Sequence, residues 1–349
     1  MTKIIKYGDV VVGGDSLITV QSMTNTKTHD VDSTVRQIHQ LEKNGCDIIR
    51  VAVPDEKSAE ALKEIKSNVN IPVIADIHFD YKLALRSVKS GADGIRINPG
   101  NIGSEEKVKK IVYACREKNV PIRVGVNSGS VKKEYINKFK GVNEDSLVES
   151  ALDQIRQIEK FQYDNIVVSI KSSNVVQNYK SNLKLSKLIN YPIHLGVTES
   201  GTYENGIIKS SMGIGSLLMQ GIGDTIRVSL TADPVEEVRV GRKMLQYLNL
   251  RPYGPNIISC PTCGRTEINI EKLSSELEKR IIKENIKTDI TIAVMGCVVN
   301  GPGEAKEADI GIAGGKGEAI LFKKGKLIKK IGEDNIVDSI IEEIKKSCK

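Results

Sequence analysis

"DGIRINPG", Asp93 to Gly100, sets apolar Ile95 and Ile97 against polar Arg96 and Asn98. Successive side chains of a strand point to opposite faces, so this run has one apolar face and one face carrying a cation and an amide. The pattern is not isolated. Between Ser16 and Leu250 a β-branched run ending in a polar or small residue, an amphipathic helical segment and a turn recur eight times. The strand runs are "LITVQSM", "CDIIRVAVP", "IPVIADIHF", "DGIRINPG", "PIRVGVNSG", "NIVVSIKSS", "YPIHLGVTES" and "DTIRVSLTA". Helical stretches such as "STVRQIHQLEKNG" and "PVEEVRVGRKMLQYL" lie between them, with starts that read as capped at Asp32-Ser33 and at Asp233 before Pro234. Eight such units predict an α/β fold, a (β/α)8 TIM barrel. An open doubly wound sheet is the alternative, but no Gly-x-Gly-x-x-Gly follows the first strand.

The barrel assignment fixes where the polar faces go. Ile49, Val51 and Val53, Val73, Ala75 and Ile77, Val124 and Val126, Val168 and Ile170, and Ile226, Val228 and Leu230 form apolar faces for the helices. Their alternates line the lumen: Arg50, Asp76, His78, Arg96, Arg123 with Gly125 and Asn127, Ser169 with Lys171, and Arg227 with Ser229. Ile74 is an apolar exception that a packed barrel interior absorbs. Five cations, Arg50, Arg96, Arg123, Lys171 and Arg227, therefore face one space, and buried cations need answering charge. Asp76 and Glu199 answer some of it. The remainder predicts a phosphorylated or polyanionic ligand at the C-terminal mouth, since arginine forks suit phosphate. Lys171 stands where barrel aldolases place a Schiff-base lysine, yet the arginines around it favour phosphate contact. His78, at a strand end near Asp76 in "ADIHFD", has two readings, a satisfied structural residue and a general base. The long strand-five loop "SGSVKKEYINKFKGVNED" is a lid or a surface insertion.

At 349 residues the chain has room for about two domains. Its composition, 40% hydrophobic and 27% charged with 4% aromatics and no Trp, is that of a globular protein. The net charge of +7 is a mild excess with no basic stripe, so no nucleic-acid partner is expected. The N-terminus "MTKIIKYGDVVVGGD" lacks a signal-peptide core, and no run of about 18 apolar residues occurs, so no membrane partner is expected. Six cysteines are too few for a disulfide scaffold, and a reduced, cytoplasmic setting is the expectation.

After "YLNLRPYGPN" the pattern changes, which places the boundary between residues 1–252 and 253–349. A helix near Glu267–Glu284, the strand "DITIAVMG", a hairpin around "ILFKKGKLIKK" and a closing helix from Asp334 make a small α/β domain. Cys260 and Cys263 form a Cys-x-x-Cys in "ISCPTCGRT", and Cys297 follows a strand into a Gly- and Pro-rich turn. Cys46, Cys115 and Cys348 fit no such constellation. Three thiolates without a nearby histidine argue against a closed zinc site, although zinc completed by a carboxylate stays open. Three cysteines can also hold an iron–sulfur cluster with one iron left exchangeable. Glu304 is the nearest carboxylate to Cys297; taken alone, a helix-start glutamate is its better reading.

"SCPTCGRT", "MGCVVNGPGEA", "VQSMTNT", "ADIHFD", "RINPGN", "RVGVNSGS" and "GVTESG" recur in order across both domains. In them the chain resembles the bacterial 4-hydroxy-3-methylbut-2-enyl diphosphate synthase family of the non-mevalonate isoprenoid route, in its two-domain form. The resemblance implies a substrate-binding barrel and an iron–sulfur domain with a [4Fe–4S] cluster on Cys260, Cys263, Cys297 and Glu304. It implies reductive ring opening and dehydroxylation of 2-C-methyl-D-erythritol 2,4-cyclodiphosphate, with electrons from a ferredoxin or flavodoxin. Phosphate binding would fall to Arg50, Arg96, Arg123, Asn127, Lys171, Arg227 and Ser229. Asp76, His78, Thr198 and Glu199 would meet the carbon skeleton and its hydroxyls, with Glu304, Glu199 and His78 in catalysis. A head-to-tail homodimer is also implied. Two other functions compete: a redox-inactive barrel transferase, similar to pterin-binding barrels, with a zinc-bound tail; and a non-catalytic iron–sulfur sensor.

Overall fold

The computed structural model describes residues 1–297, 303 and 307–347. It divides into two compact units, Met1–Arg251 and Pro252–Lys349, one residue from the expected boundary.

The first unit opens with an antiparallel hairpin, β1 (Ile5–Tyr7) and β2 (Val10–Val12). Eight parallel strands follow: β3 (Thr19–Met23), β4 (Ile48–Ala52), β5 (Val73–Asp76), β6 (Gly94–Ile97), β7 (Ile122–Asn127), β8 (Ile166–Lys171), β9 (His194–Leu195) and β10 (Thr225–Ile226). They pair in the order β8-β7-β6-β5-β4-β3-β10-β9, and a parallel bridge from Val168 to Ile193 brings β8 against the entry to β9. Each strand matches one of the eight runs read from the sequence. Val51, Ala75, Ile95, Val124 and Val168 are fully buried against the surrounding helices, as the alternation requires.

Local sequence explains the helix starts. The Asp233 carboxylate accepts the Val235 N–H, and Pro234 occupies the first turn, where its missing N–H costs nothing. At the first barrel helix, Val31–Lys43, the cap is Asp30, whose carboxylate accepts the Ser33 N–H at 3.1 Å. Asp32, the cap expected from the sequence, lies instead inside the first turn, where an acid suits the helix dipole.

The N-terminal hairpin forms the barrel floor. Ile5, Tyr7 and Val12 pack with Ile48, Ile74 and Val167, which explains why Ile74 is apolar at a lumen position. A Cβ on Gly94 would lie 2.4 Å from the Tyr7 ring, so only glycine admits the plug. The strand-five loop folds back on the barrel wall: the short helix Lys133–Lys138 leads to Glu144–Glu159, Ile136 and Tyr135 join the core, and Lys132 pairs with Asp153 at 2.8 Å.

The second unit is a five-stranded sheet: β11 (Asn256–Ser259), β12 (Thr291–Met295), β13 (Ile310–Gly315), β14 (Glu318–Lys323) and β15 (Lys326–Gly332), in that spatial order. The first three run parallel and the last three antiparallel. Helices Ile270–Lys283 and Ile336–Ser347 cover one face through Leu273, Leu277, Ile340 and Ile344. Strands β11 and β13 were absent from the sequence reading. No helix among the described residues is long and apolar enough to cross a membrane.

Candidate functional site

At the C-terminal ends of the barrel strands lies a cavity of about 260 Å³, lined by Met23, Arg50, Asp76, His78, Arg96, Arg123, Gly125, Asn127, Ser169, Lys171, Thr198, Arg227 and Ser229. Strand register brings these groups together, since Asp76 pairs with Arg96, Arg96 with Arg123, and Asn127 with Lys171 in adjacent strands. Of the barrel residues expected from the sequence, Glu199 alone does not line it. Glu199 is exposed, with φ at +52° in the left-handed region.

Asp76 is the acidic centre. Its carboxylate stands 3.1 Å from Arg96, 3.5 Å from Arg50 and 3.8 Å from His78 Nε2. Burial pushes its pKa up, but Arg50, Arg96 and Arg123 more than offset this and hold it at about 2. The second carboxylate is Glu237, not the expected Glu199; it lies 3.3 Å from Arg227. Glu237 sits on the helix Pro234–Tyr247, outside the strand runs, and so escaped a reading based on strand alternation.

Two carboxylates leave the five cations under-compensated. Arg123, 2% exposed, donates among the described residues only to the neutral Gln21 Oε1, at 2.6 Å. Burial lowers its pKa to about 10. Arg50 turns two N–H groups to the Met23 sulfur, at 3.0 and 3.2 Å. Lys171 lies 3.3 Å from His194 Nε2, and burial followed by the surrounding arginines pulls the pKa of each well below its ordinary value. The buried Nε atoms of Arg123 and Arg227 have no hydrogen-bond partner among the described residues. A buried donor without a partner is costly, and an anion entering from the mouth supplies one. Gly125 allows the arrangement, because a Cβ there would sit 2.9 Å from Arg96 Nε. Met23, Gly125 and Ser169 were not among the expected site residues. A glycine and a serine on lumen positions were the available signal for two of them.

In the second unit, Cys260 follows β11 and Cys297 follows β12, at the same end of two adjacent parallel strands. The Gly296 N–H donates to Cys260 Sγ at 3.3 Å, and Gly296 has to be glycine because a Cβ would lie 2.3 Å from Ile270. Cys263 is exposed, and hydrogen bonds from Arg265, then Thr266, hold its thiol below the ordinary range. None of the three is in a disulfide. An exposed, acidified Cys263 and an N–H···S bond to Cys260 fit thiolates that hold a metal cluster, since such bonds are among the levers that tune cluster potential. Glu304 and Cys348 lie outside the described residues. Cys46 and Cys115 are buried in the barrel wall, and burial pushes the Cys46 thiol up to about 12.

Known proteins sharpen the reading. The family model described as the GcpE TIM-barrel domain matches residues 2–242, and the GcpE protein C-terminal domain matches residues 256–346. A protein of Caldanaerobacter subterraneus named 4-hydroxy-3-methylbut-2-en-1-yl diphosphate synthase (flavodoxin) is 57% identical over 349 residues, covering 100% of this chain and 98% of its own. One of the same name from Clostridium acetobutylicum is 58% identical over 98% of both chains. Among solved structures, dihydropteroate synthase from Stenotrophomonas maltophilia aligns with TM-score 0.53 at 12% identity, over 71% of this chain and 97% of that one, a likeness of fold alone. With both domain models matched in order and relatives aligned end to end, the chain belongs to the GcpE family.

Proposed function

We propose that this protein is an oxidoreductase that opens 2-C-methyl-D-erythritol 2,4-cyclodiphosphate and removes a hydroxyl to give 4-hydroxy-3-methylbut-2-enyl diphosphate. Two electrons and two protons are consumed and one water leaves. The observation that carries the reading is the floor-closed barrel cavity, where, among the described residues, two carboxylates face five cations and two buried guanidinium Nε–H groups have no partner. Residues 1–252 are the substrate domain and residues 253–349 the cluster domain.

Arg50, Arg96, Arg123, Asn127, Lys171, Arg227 and Ser229 take the two phosphates. The charge imbalance they hold in the empty cavity is relieved when the anion enters, so orientation costs little reorganisation. Asp76, ionised at any working pH because its pKa is held at about 2, accepts a substrate hydroxyl and does not deliver a proton. Proton delivery falls to His78, exposed at the mouth, and to Glu304, while Thr198 on the cavity lining meets the carbon skeleton. A [4Fe–4S] cluster held by Cys260, Cys263, Cys297 and Glu304 would supply the electrons one at a time, drawn from a flavodoxin. Against the zinc-tail and sensor alternatives stand the relatives aligned end to end, which are named as flavodoxin-dependent synthases.

The homodimer is head-to-tail, so that a second copy brings its thiols to the barrel mouth; Cys46 and Cys115, the barrel's own described thiols, are buried in its wall. A cytoplasmic setting follows from thiols that must stay reduced. Anaerobic reconstitution with iron and sulfide tests the reading. The wild type should show a cluster absorbance and EPR signal and turn over the cyclic diphosphate with reduced flavodoxin, and Cys297→Ser should lose both. A colourless protein holding only zinc, or a clustered protein without turnover, refutes it.

A further inference from the structure

Resting on that reading, we infer that Glu237 is a positioning residue for phosphate binding, gripping both the Arg227 guanidinium and the loop that carries Ser229. Glu237 is 4% exposed, whereas its neighbour Glu236 is half-buried and pairs locally with Arg239 at 2.6 Å. A carboxylate so buried is costly unless it is paired. It has two partners, one per oxygen: Oε2 stands 3.3 Å from Arg227 Nη2, and Oε1 accepts the Leu230 N–H at 2.9 Å. Arg227 and Leu230 bracket Ser229, so one side chain fixes both ends of that segment. The grip extends further. Ser229 accepts through its carbonyl from the Ser200 hydroxyl, and the Thr231 N–H donates to Gly201 at 2.9 Å, which ties in the loop carrying Thr198. Held by Nη2, Arg227 keeps for an anion its Nε, which has no hydrogen-bond partner among the described residues.

A double-mutant cycle on the reconstituted holoenzyme tests this, using wild type, Glu237→Gln, Arg227→Ala and the double variant. Binding of the cyclic diphosphate to the oxidised enzyme is measured by calorimetry, with inorganic pyrophosphate as a second probe. The amide of Glu237→Gln still accepts from Leu230, so cluster absorbance should stay near wild type, while the lost charge lowers Tm without unfolding the protein at the assay temperature. Kd should rise about thirty-fold or more, the range expected when a buried hydrogen-bonded charge pair loses one charge, and KM should rise far more than kcat falls. In the Arg227→Ala background the same substitution should change Kd less than about two-fold. Equal penalties in both backgrounds, or unchanged or tighter binding in Glu237→Gln, overturn the inference. If Glu237→Gln does not fold, Glu237→Asp takes its place; it keeps the charge with a shorter reach, and an unchanged Kd there also overturns the inference. A wild type that binds pyrophosphate but not the cyclic substrate refutes the proposed substrate, while the pyrophosphate cycle still reports on Glu237.

Discussion

Replacing Asp76 with asparagine removes one of the two negative charges in the cation cluster and keeps the side chain's shape. The carboxyl is lowered from 3.8 to about 2 in the fold. At about 1.36 kcal/mol per pH unit, its ionisation contributes about 2 kcal/mol of stability at neutral pH. Because the folded value is depressed, that contribution is fully present above 3.8 and is lost as pH falls through about 2. Roughly half of it remains at pH 3. In a unit of this size about 2 kcal/mol corresponds to a Tm lower by about 4–8 °C. The assay is thermal denaturation followed by circular dichroism at neutral pH and again in acid, with and without inorganic pyrophosphate. Asp76→Asn should melt lower at neutral pH, the gap should narrow in acid, and pyrophosphate should raise the variant's Tm more than the wild type's, since the anion replaces the missing charge. A variant that melts with the wild type at neutral pH, or equal stabilisation of both by pyrophosphate, refutes the view of this cavity as an under-compensated cation cluster.

Gly94→Ala should cost about 1–3 kcal/mol by overpacking the floor against Tyr7; in a Tyr7→Val background it should lower Tm little further, and a fully additive loss contradicts the plug. Mixing inactive Arg123→Met and Cys297→Ser homodimers should restore about a quarter of wild-type turnover if dimers exchange chains at random and each site is built from two chains. A mixture that stays inactive after verified exchange means that each chain completes its own site.

The barrel was legible because a parallel strand buried on its outer face and polar on its inner one imposes a period of two, and nine of the site positions fell on that inner face. Thr198 came from the family motif instead. What stayed hidden depends on contacts between elements distant in sequence. Glu237 reads as an ordinary helix-start acid, and only the fold shows it turned inward to Arg227. Tyr7 and its hairpin looked like an interrupted N-terminus, because three-residue strands carry too few residues for a pattern. Glu199 misled because alternation stops where β9 ends, and the left-handed turn at that residue sends the side chain elsewhere. The cysteines were legible as ligand types, but the shared end of β11 and β12 was not, since β11 is a short strand beside a proline-rich joint.

The hairpin that seals the barrel floor leaves a chamber with one doorway. Substrate, product, the departing water and whatever delivers electrons all use that doorway, so turnover becomes a queue in which each product must leave before the next substrate enters. On that footing the ceiling on rate is set by how often the doorway clears, and it should fall as solvent viscosity rises even when the chemistry is fast.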